Sequence, residues 1–447
     1  MGRCMLRPYN TLHSWVARLF GNRTHRLDDV RILYLMKMTR RARAFLMVLL
    51  APVLLYCAAQ TSRKAPPKKQ YLAFVGTYTT KTNSKGIYAF RYDAAEGNLT
   101  PLGVAAETTD PSFLVIHPNG KYLYAVNEAG KASTVSAFAL NQAIGQLSLL
   151  NQLPALGEDP CYISLDRSGK FVLIANYTSG NIAVFPVLPD GKLGEHTALL
   201  GDRGTLGPNK KRQEGPHAHW IETTPDSRFA LVADLGLDEV FSYKFNAATG
   251  ALTPNHPAAV AKLRPGAGPR HIAMLANGEF VLVASELDST VTSFSFDPKK
   301  GALQEVGAAS TLLPGFSGRN DVAEIAVHPN GKFFYVSNRG NESIAIFSID
   351  PRKGTLTLVG GVPTGGKEPR HFAIDPTGNY LLAENQLSDT IVTFRIDPAT
   401  GLLTPTGDRA AVPSPVDLVF ATEDGGRQAP FASAGSRLFW MMSYYYN

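Results

Sequence analysis

The chain has 447 residues, 44% apolar and 18% charged, which is enough apolar material for a large core and too much for a disordered polymer. Its 40 glycines and 30 prolines suit many short strands joined by tight turns and speak against a helical bundle. The net charge of +7 belongs to the first 59 residues, where ten Lys and Arg face only Asp28 and Asp29; residues 60–447 carry 34 basic and 35 acidic side chains, which excludes an extended nucleic-acid surface.

In chain order, a basic stretch from Lys37 to Arg43 precedes an apolar run, Ala44–Ala59, closed by small residues. This is the order of a secretory signal, so residues 1–59 read as a leader and the mature chain as exported, periplasmic or extracellular. The run is short for a membrane span and contains Pro52. A membrane association would come only from an uncleaved leader or from a lipid on Cys57, whose preceding Tyr56 stands where a lipoprotein box has a small residue. Met36 and Met38 are alternative starts, and residues 60–70 read as a linker containing Lys64–Lys69. Of Cys4, Cys57 and Cys161 only the last survives cleavage, so no intrachain disulfide is expected, and no Cys/His spacing suggests a metal or other cofactor.

From residue 71 onward the sequence repeats. A Gly-x-Leu step closes seven alternating apolar segments, at Gly97, Gly145, Gly191, Gly250, Gly301, Gly354 and Gly401. A period near 50 residues, with four short strands per unit, predicts an all-β, seven-bladed β-propeller with four-stranded antiparallel blades over residues 71–421. Six units also carry a turn between their first two strands, such as His117-Pro118-Asn119-Gly120 and Asp375-Pro376-Thr377-Gly378. The first unit lacks its leading strand, and Pro415–Phe420 has the pattern of that strand, so the ring is expected to close by pairing the N- and C-terminal strands. Residues 422–447 form a tail of unassigned role.

Equivalent positions of each blade form rings about the axis. Counting back from the first turn gives Ser112, Cys161, His219, Arg270, Ala323 and Arg370; counting forward gives Glu128, Tyr177, Leu235, Glu286, Arg339 and Gln386. Both rings fall at one mouth of the channel. A position serving only the fold would hold one residue type in every blade, whereas these change from blade to blade, as a ligand site with converging polar groups requires. His219, Arg270, Glu286 and Arg339 are the candidate catalytic set, with Arg370, Glu128, Tyr177 and Gln386 as candidate binding residues. Against these stand positions with a structural explanation. His117 and His328 read as turn residues, the recurring Asn127, Asn176, Asn338 and Asn385 as a polar layer, and His271 and His371 as packing.

Gly76-Thr77-Tyr78, Gly215-Pro216-His217-Ala218-His219, Gly268-Pro269-Arg270-His271, Ser285-Glu286-Leu287 and Val336-Ser337-Asn338-Arg339-Gly340 resemble the lactonase family of seven-bladed propellers, which includes propeller-type 6-phosphogluconolactonases and the fungal carboxy-muconate cyclases. The resemblance spans about residues 71–421 and implies action on a lactone ring, with no metal. It carries the cyclase branch's His, two Arg and Glu onto His219, Arg270, Arg339 and Glu286, and adds His217 from a paired-His motif as a binding candidate. Three functions are then expected: hydrolysis of a sugar-type lactone, with Glu286 or His219 as base; a lactonising cyclase or cycloisomerase; or a non-catalytic exported propeller that binds protein or glycan. The expected partner is a small lactone or anionic sugar acid, and the oligomeric state is unknown. A long insertion, Asp202–Glu214, rich in Gly, Lys and Arg, is placed either to overhang a mouth or to form a surface loop.

Overall fold

The computed structural model describes residues 70–256 and 260–422. The expectations for the leader, most of the linker and the tail lie outside the described residues.

Seven antiparallel sheets follow one another along the chain, as the repeat predicts. Blade one combines Gln70–Thr77, Gly86–Asp93 and Asn98–Glu107 with the last strand, Pro415–Thr422. That last strand runs antiparallel to Gln70–Thr77, with Tyr71 opposite Thr422 and Val75 opposite Leu418, so the ring closes through both ends of the repeat. A buried aromatic group of Tyr71, Tyr92 and Phe420 fills the closure, with the Tyr92 and Phe420 rings 4.9 Å apart.

Each later blade runs outward from its innermost strand. These inner strands are Phe113–Ile116, Pro160–Leu165, Ala218–Thr223, Pro269–Met274, Asp321–Val327 and Pro369–Ile374 for blades two to seven. The second strands, such as Phe171–Asn176 and Phe280–Ser285, are buried along their whole length because neighbouring blades cover both faces. Outer strands such as Ala302–Ser310 alternate toward solvent. Blade four departs from the pattern: two short strands, Leu252–Pro254 and Val260–Lys262, share the outer edge of Glu239–Phe245.

The repeating glycine has a double physical cause. Gly250 sits at φ +72°, and a Cβ there would lie 2.5 Å from the Phe171 ring of the preceding blade; Gly97 stands in the same relation to Tyr380 across the closure. A left-handed turn and inter-blade contact therefore both demand glycine. Blade four lacks glycine at its first turn, yet Ser227 still takes φ 54°, close to the 68° of Gly120 in blade two. The serine accepts the strain instead of changing the turn.

One irregularity builds the mouth. The pairing of inner and second strands slips between Pro160 and Tyr162, Ala218 and Trp220, Pro269 and His271, and Pro369 and His371. The skipped residues are Cys161, His219, Arg270 and Arg370. A bulge adds one residue and re-aims its side chain, so four blades present a side chain at the same height of the channel.

Candidate active site

A cavity of about 300 Å³ opens at this mouth, lined by Glu128, Cys161, Tyr177, Arg212, His219, Glu286, Arg319, Arg339 and Arg370. The two sequence-derived rings do meet there. The bulges bring Cys161, His219 and Arg370, and the ends of the second strands bring Glu128, Tyr177, Glu286 and Arg339.

Glu286 is the electrostatic centre. Its Oε2 lies 3.1 Å from Arg270 Nε and 3.1 Å from Arg339 Nη2, and its Oε1 accepts a hydrogen bond of 2.5 Å from Arg212 Nη2. The Arg270 contact is close but off the hydrogen-bond direction, so it acts as a coulombic pair. Burial opposes the charge on Glu286, but Arg339, Arg270 and Arg212 together outweigh it and hold the carboxyl far below the usual glutamate range. The arginines are fixed in turn. Arg270 donates to the Ala323 carbonyl at 2.7 Å, and Arg339 to the Asp321 and Val322 carbonyls. Burial, aided by the neighbouring Arg339 and Arg370, lowers Arg270 to about 10. Arg270 does not line the cavity but stands behind Glu286.

A second arc crosses the mouth. Arg370 donates to the Tyr78 hydroxyl at 2.9 Å, and that hydroxyl donates to Glu128 Oε2 at 2.6 Å. The Arg370 guanidinium also lies 5.3 Å above the Tyr78 ring. Burial and then Glu128 raise the Tyr78 phenol, against the effect of Arg370, so it stays protonated.

His219 occupies the floor between the arcs. Its ring meets those of Tyr177 and His271 edge to face, and its Nδ1 is 3.5 Å from Cys161 Sγ. Burial, reinforced by Arg270, lowers the imidazole well below its usual value, so it is neutral at pH 7. Burial also raises the Cys161 thiol, which stays protonated.

His217 and Gln386 are not at the cavity wall. His217 stacks on Tyr177 at 4.5 Å, donates from Nδ1 to the Tyr177 carbonyl, and thereby fixes that wall from behind. Gln386 is half-buried in a short 3-10 turn beside the mouth. Sequence reasoning missed three participants. Tyr78 was legible only as part of Gly76-Thr77-Tyr78, Arg212 as one basic residue of the insertion, and Arg319 not at all, since it precedes its inner strand.

One residue further along the inner strands, His271 and His371 pack edge to face on the Phe113 ring, as expected, and also join a buried polar cluster. His271 Nδ1 is 2.8 Å from Glu324, and His371 contacts Glu384 at 2.9 Å and Asp417 at 3.2 Å. Burial pushes Glu324 up to about 7 and Asp417 to about 6. Among the described residues no three His, Cys, Asp or Glu side chains are placed to hold a metal ion. The histidines assigned to turns behave as such: His117 and His328 accept from the backbone N–H two residues on, in the manner of an Asx turn.

The family model described as lactonase, 7-bladed beta-propeller matches residues 72–420. The 6-phosphogluconolactonase of Bacillus subtilis is 36% identical over 303 residues, covering 68% of this chain and 84% of that protein. The 6-phosphogluconolactonase of Formosa agariphila is 35% identical over 304 residues, 67% of this chain and 85% of that protein. The solved periplasmic gluconolactonase of Pseudomonas aeruginosa superposes with a TM-score of 0.73 at 32% identity, over 79% of this chain and 99% of that one.

Proposed function

The chain belongs to the seven-bladed β-propeller lactonase family, and on that premise we propose that it hydrolyses a sugar-type lactone at the central mouth. The observation that carries the reading is a cavity in which a neutral, buried His219 faces guanidinium groups held in fixed positions. The relatives' names support hydrolysis over ring formation or mere binding.

Of the two candidate bases, the geometry favours His219. Both oxygens of Glu286 are engaged by arginines, so this carboxylate has little affinity for a further proton. It serves as the hub that fixes Arg270, Arg339 and Arg212. The His219 tautomer with its proton on Nδ1 donates toward Cys161 Sγ, whose own proton has the Ala218 and His219 carbonyls within 3.9 and 3.7 Å. Nε2 then keeps its lone pair. Water attacks the lactone carbonyl and gives its proton to Nε2; the tetrahedral oxyanion is stabilised by Arg339 and Arg370. Collapse breaks the ring C–O bond, and the imidazolium returns the proton to the leaving alkoxide, giving the hydroxy acid. A substrate anion held in the cavity offsets part of the positive field of Arg270 and Arg370 that depresses His219, so its basicity rises on loading. The leader at residues 1–59 supports export as the setting of this reaction.

The test is acid release by the purified protein from 6-phosphogluconolactone and glucono-δ-lactone, corrected for spontaneous opening, with His219→Gln beside it. Turnover above background that collapses in the variant supports the assignment. Rates at background on these and on further sugar lactones, with the protein folded, would overturn it.

A further inference from the structure

The insertion Asp202–Glu214 is neither a loose surface loop nor a passive cover. It joins the outer strand of blade three, Ala198–Gly201, to the inner strand of blade four. Gln213 is fully buried; its amide donates to the Leu235 carbonyl at 2.9 Å and to Asp238 at 2.8 Å, and its carbonyl oxygen accepts from the Asn209 N–H. Gly207 N–H is bonded to the Gly236 carbonyl, and Asp202 to the Tyr243 hydroxyl. The strap is thus pinned to blade four on both sides of the one residue it sends into the mouth, Arg212. Blade four has Leu235 at the ring position where other blades carry Glu128, Tyr177, Glu286 or Arg339. The strap therefore supplies a cation in the sector whose own blade offers none.

Arg319 enters from the connection that precedes the inner strand of blade six. Its Nε donates to Asp321 at 2.7 Å and its Nη2 pairs with the same carboxylate, leaving Nη1 free of a hydrogen bond among the described residues while 81% of the side chain remains exposed. Arg212 uses Nη2 for Glu286 and Tyr177; its Nε and Nη1 make no hydrogen bond among the described residues. The deeper Arg339 is held at the wall by backbone carbonyls and Glu286, and Arg370 by Tyr78, whereas these two sit at the solvent side with donors to spare. The cavity wall carries four guanidinium groups against two carboxylates, and although Asp321 pairs with Arg319 and Glu368 lies 3.7 Å from Arg339, the donors left over on Arg212 and Arg319 suit an anion.

We propose that Arg212, presented by the pinned strap, and Arg319 form an oxyanion subsite at the rim, which selects lactones bearing a carboxylate or phosphate remote from the ring carbonyl. The assignment rests on the lactonase reading. It makes Arg212 and Arg319 specificity residues, while His219, Arg339 and Arg370 face the carbonyl.

The experiment compares kcat/KM for three lactones: neutral glucono-δ-lactone, the phosphorylated 6-phosphogluconolactone, and the carboxylated monolactone of glucaric acid. Wild type, Arg212→Ala, Arg212→Lys and Arg319→Ala are measured. Wild type is expected to prefer at least one acidic lactone over the neutral one, and which one it prefers identifies the anion. Each alanine variant is expected to cut that preference roughly tenfold or more, the order of one lost charge-assisted hydrogen bond. Arg212→Lys should retain part of it. Equal rates on acidic and neutral lactones by wild type would overturn the subsite. So would variants that slow all three substrates alike, since that is the mark of Arg212 merely bracing Glu286. Should no lactone be turned over, the lactonase reading itself fails, and calorimetry decides the subsite separately. Binding of 6-phosphogluconate or glucarate at least tenfold tighter than gluconate, lost in both alanine variants, supports it, and equal binding overturns it.

Discussion

Replacing Glu286 by Gln separates its bracing role from a chemical one. The substitution keeps the shape and removes the charge that pairs with Arg270 and Arg339, whose side chains are 3% and 7% exposed. Removing one partner of a buried ion pair costs about 3–5 kcal/mol, because the other charge is left buried and uncompensated. Arg212, a third exposed, adds little to this. With an unfolding entropy of about 2.1 cal/mol/K per residue, a propeller of roughly 350 residues loses about 1.4 °C of Tm per kcal/mol, so the drop should be about 4–7 °C at pH 7. The pH dependence has a definite sign. The folded carboxyl lies below its unfolded value, so its stabilisation is complete above the ordinary glutamate range and is lost as pH falls toward the depressed folded value. The gap between wild type and variant must narrow in acid. Thermal melts at pH 7 and pH 3.5, beside lactone turnover, give both readouts. A Tm within about 1 °C of wild type with activity abolished would refute the hub and make Glu286 the base.

Four further outcomes follow from the same geometry. His219→Gln should fold normally and lower kcat by roughly 10²–10⁴, the usual worth of a general base; in wild type the acid limb of kcat/KM should fall below pH 6.5, because burial and Arg270 depress the free imidazole, and the limb of kcat should lie higher with an acidic lactone bound. Tyr78→Phe removes the hydroxyl that joins Arg370 to Glu128 and should reduce kcat/KM roughly tenfold with a stability loss of about 1–2 kcal/mol, checked by kinetics and denaturant melts. Glu324, raised by burial, loses its contribution to stability as pH rises toward about 7, so Glu324→Gln should flatten the decline of Tm between pH 5 and pH 7. Ser227→Gly relieves a left-handed serine and should stabilise by about 0.5–1 kcal/mol, seen as a shift of the urea midpoint.

The blade count and ring closure were legible because each rests on a local, repeated demand. Gly97 and Gly250 announce a left-handed turn pressed against a neighbour's ring, and the unmatched Pro415–Phe420 has nowhere to pair except beside Gln70–Thr77. The mouth was legible for a related reason: counting from turns gives a side chain's height in the channel. The count also landed on Ala323 and Leu235, which do not line the cavity, because it fixes height and not direction. Arg212 and Arg319 lie in connections between blades, outside the repeat frame, and could be placed only by the backbone that carries them. The role of His271 and His371 was hidden because their partners Glu324, Glu384 and Asp417 come from three different inner or second strands, and no spacing along the chain relates them.

The site owes its existence to the places where the blades stop resembling one another. A sevenfold ring of identical residues would place like charges around a narrow axis, where their repulsion is unscreened by water. Here one bulge position holds a thiol in blade three, a neutral imidazole in blade four, and guanidinium groups in blades five and seven. The charges are grouped so that Glu286 answers Arg270 and Arg339, while Tyr78 and Glu128 answer Arg370. His219 lies at the seam between the two groups, and among the described residues no carboxylate is hydrogen-bonded to it. Burial and the field of Arg270 keep it neutral, and that field leaves its basicity responsive to an anion bound in the cavity. On the proposed lactonase reading an acidic lactone both engages the rim arginines and raises the basicity of His219, so the two features favour the same substrates.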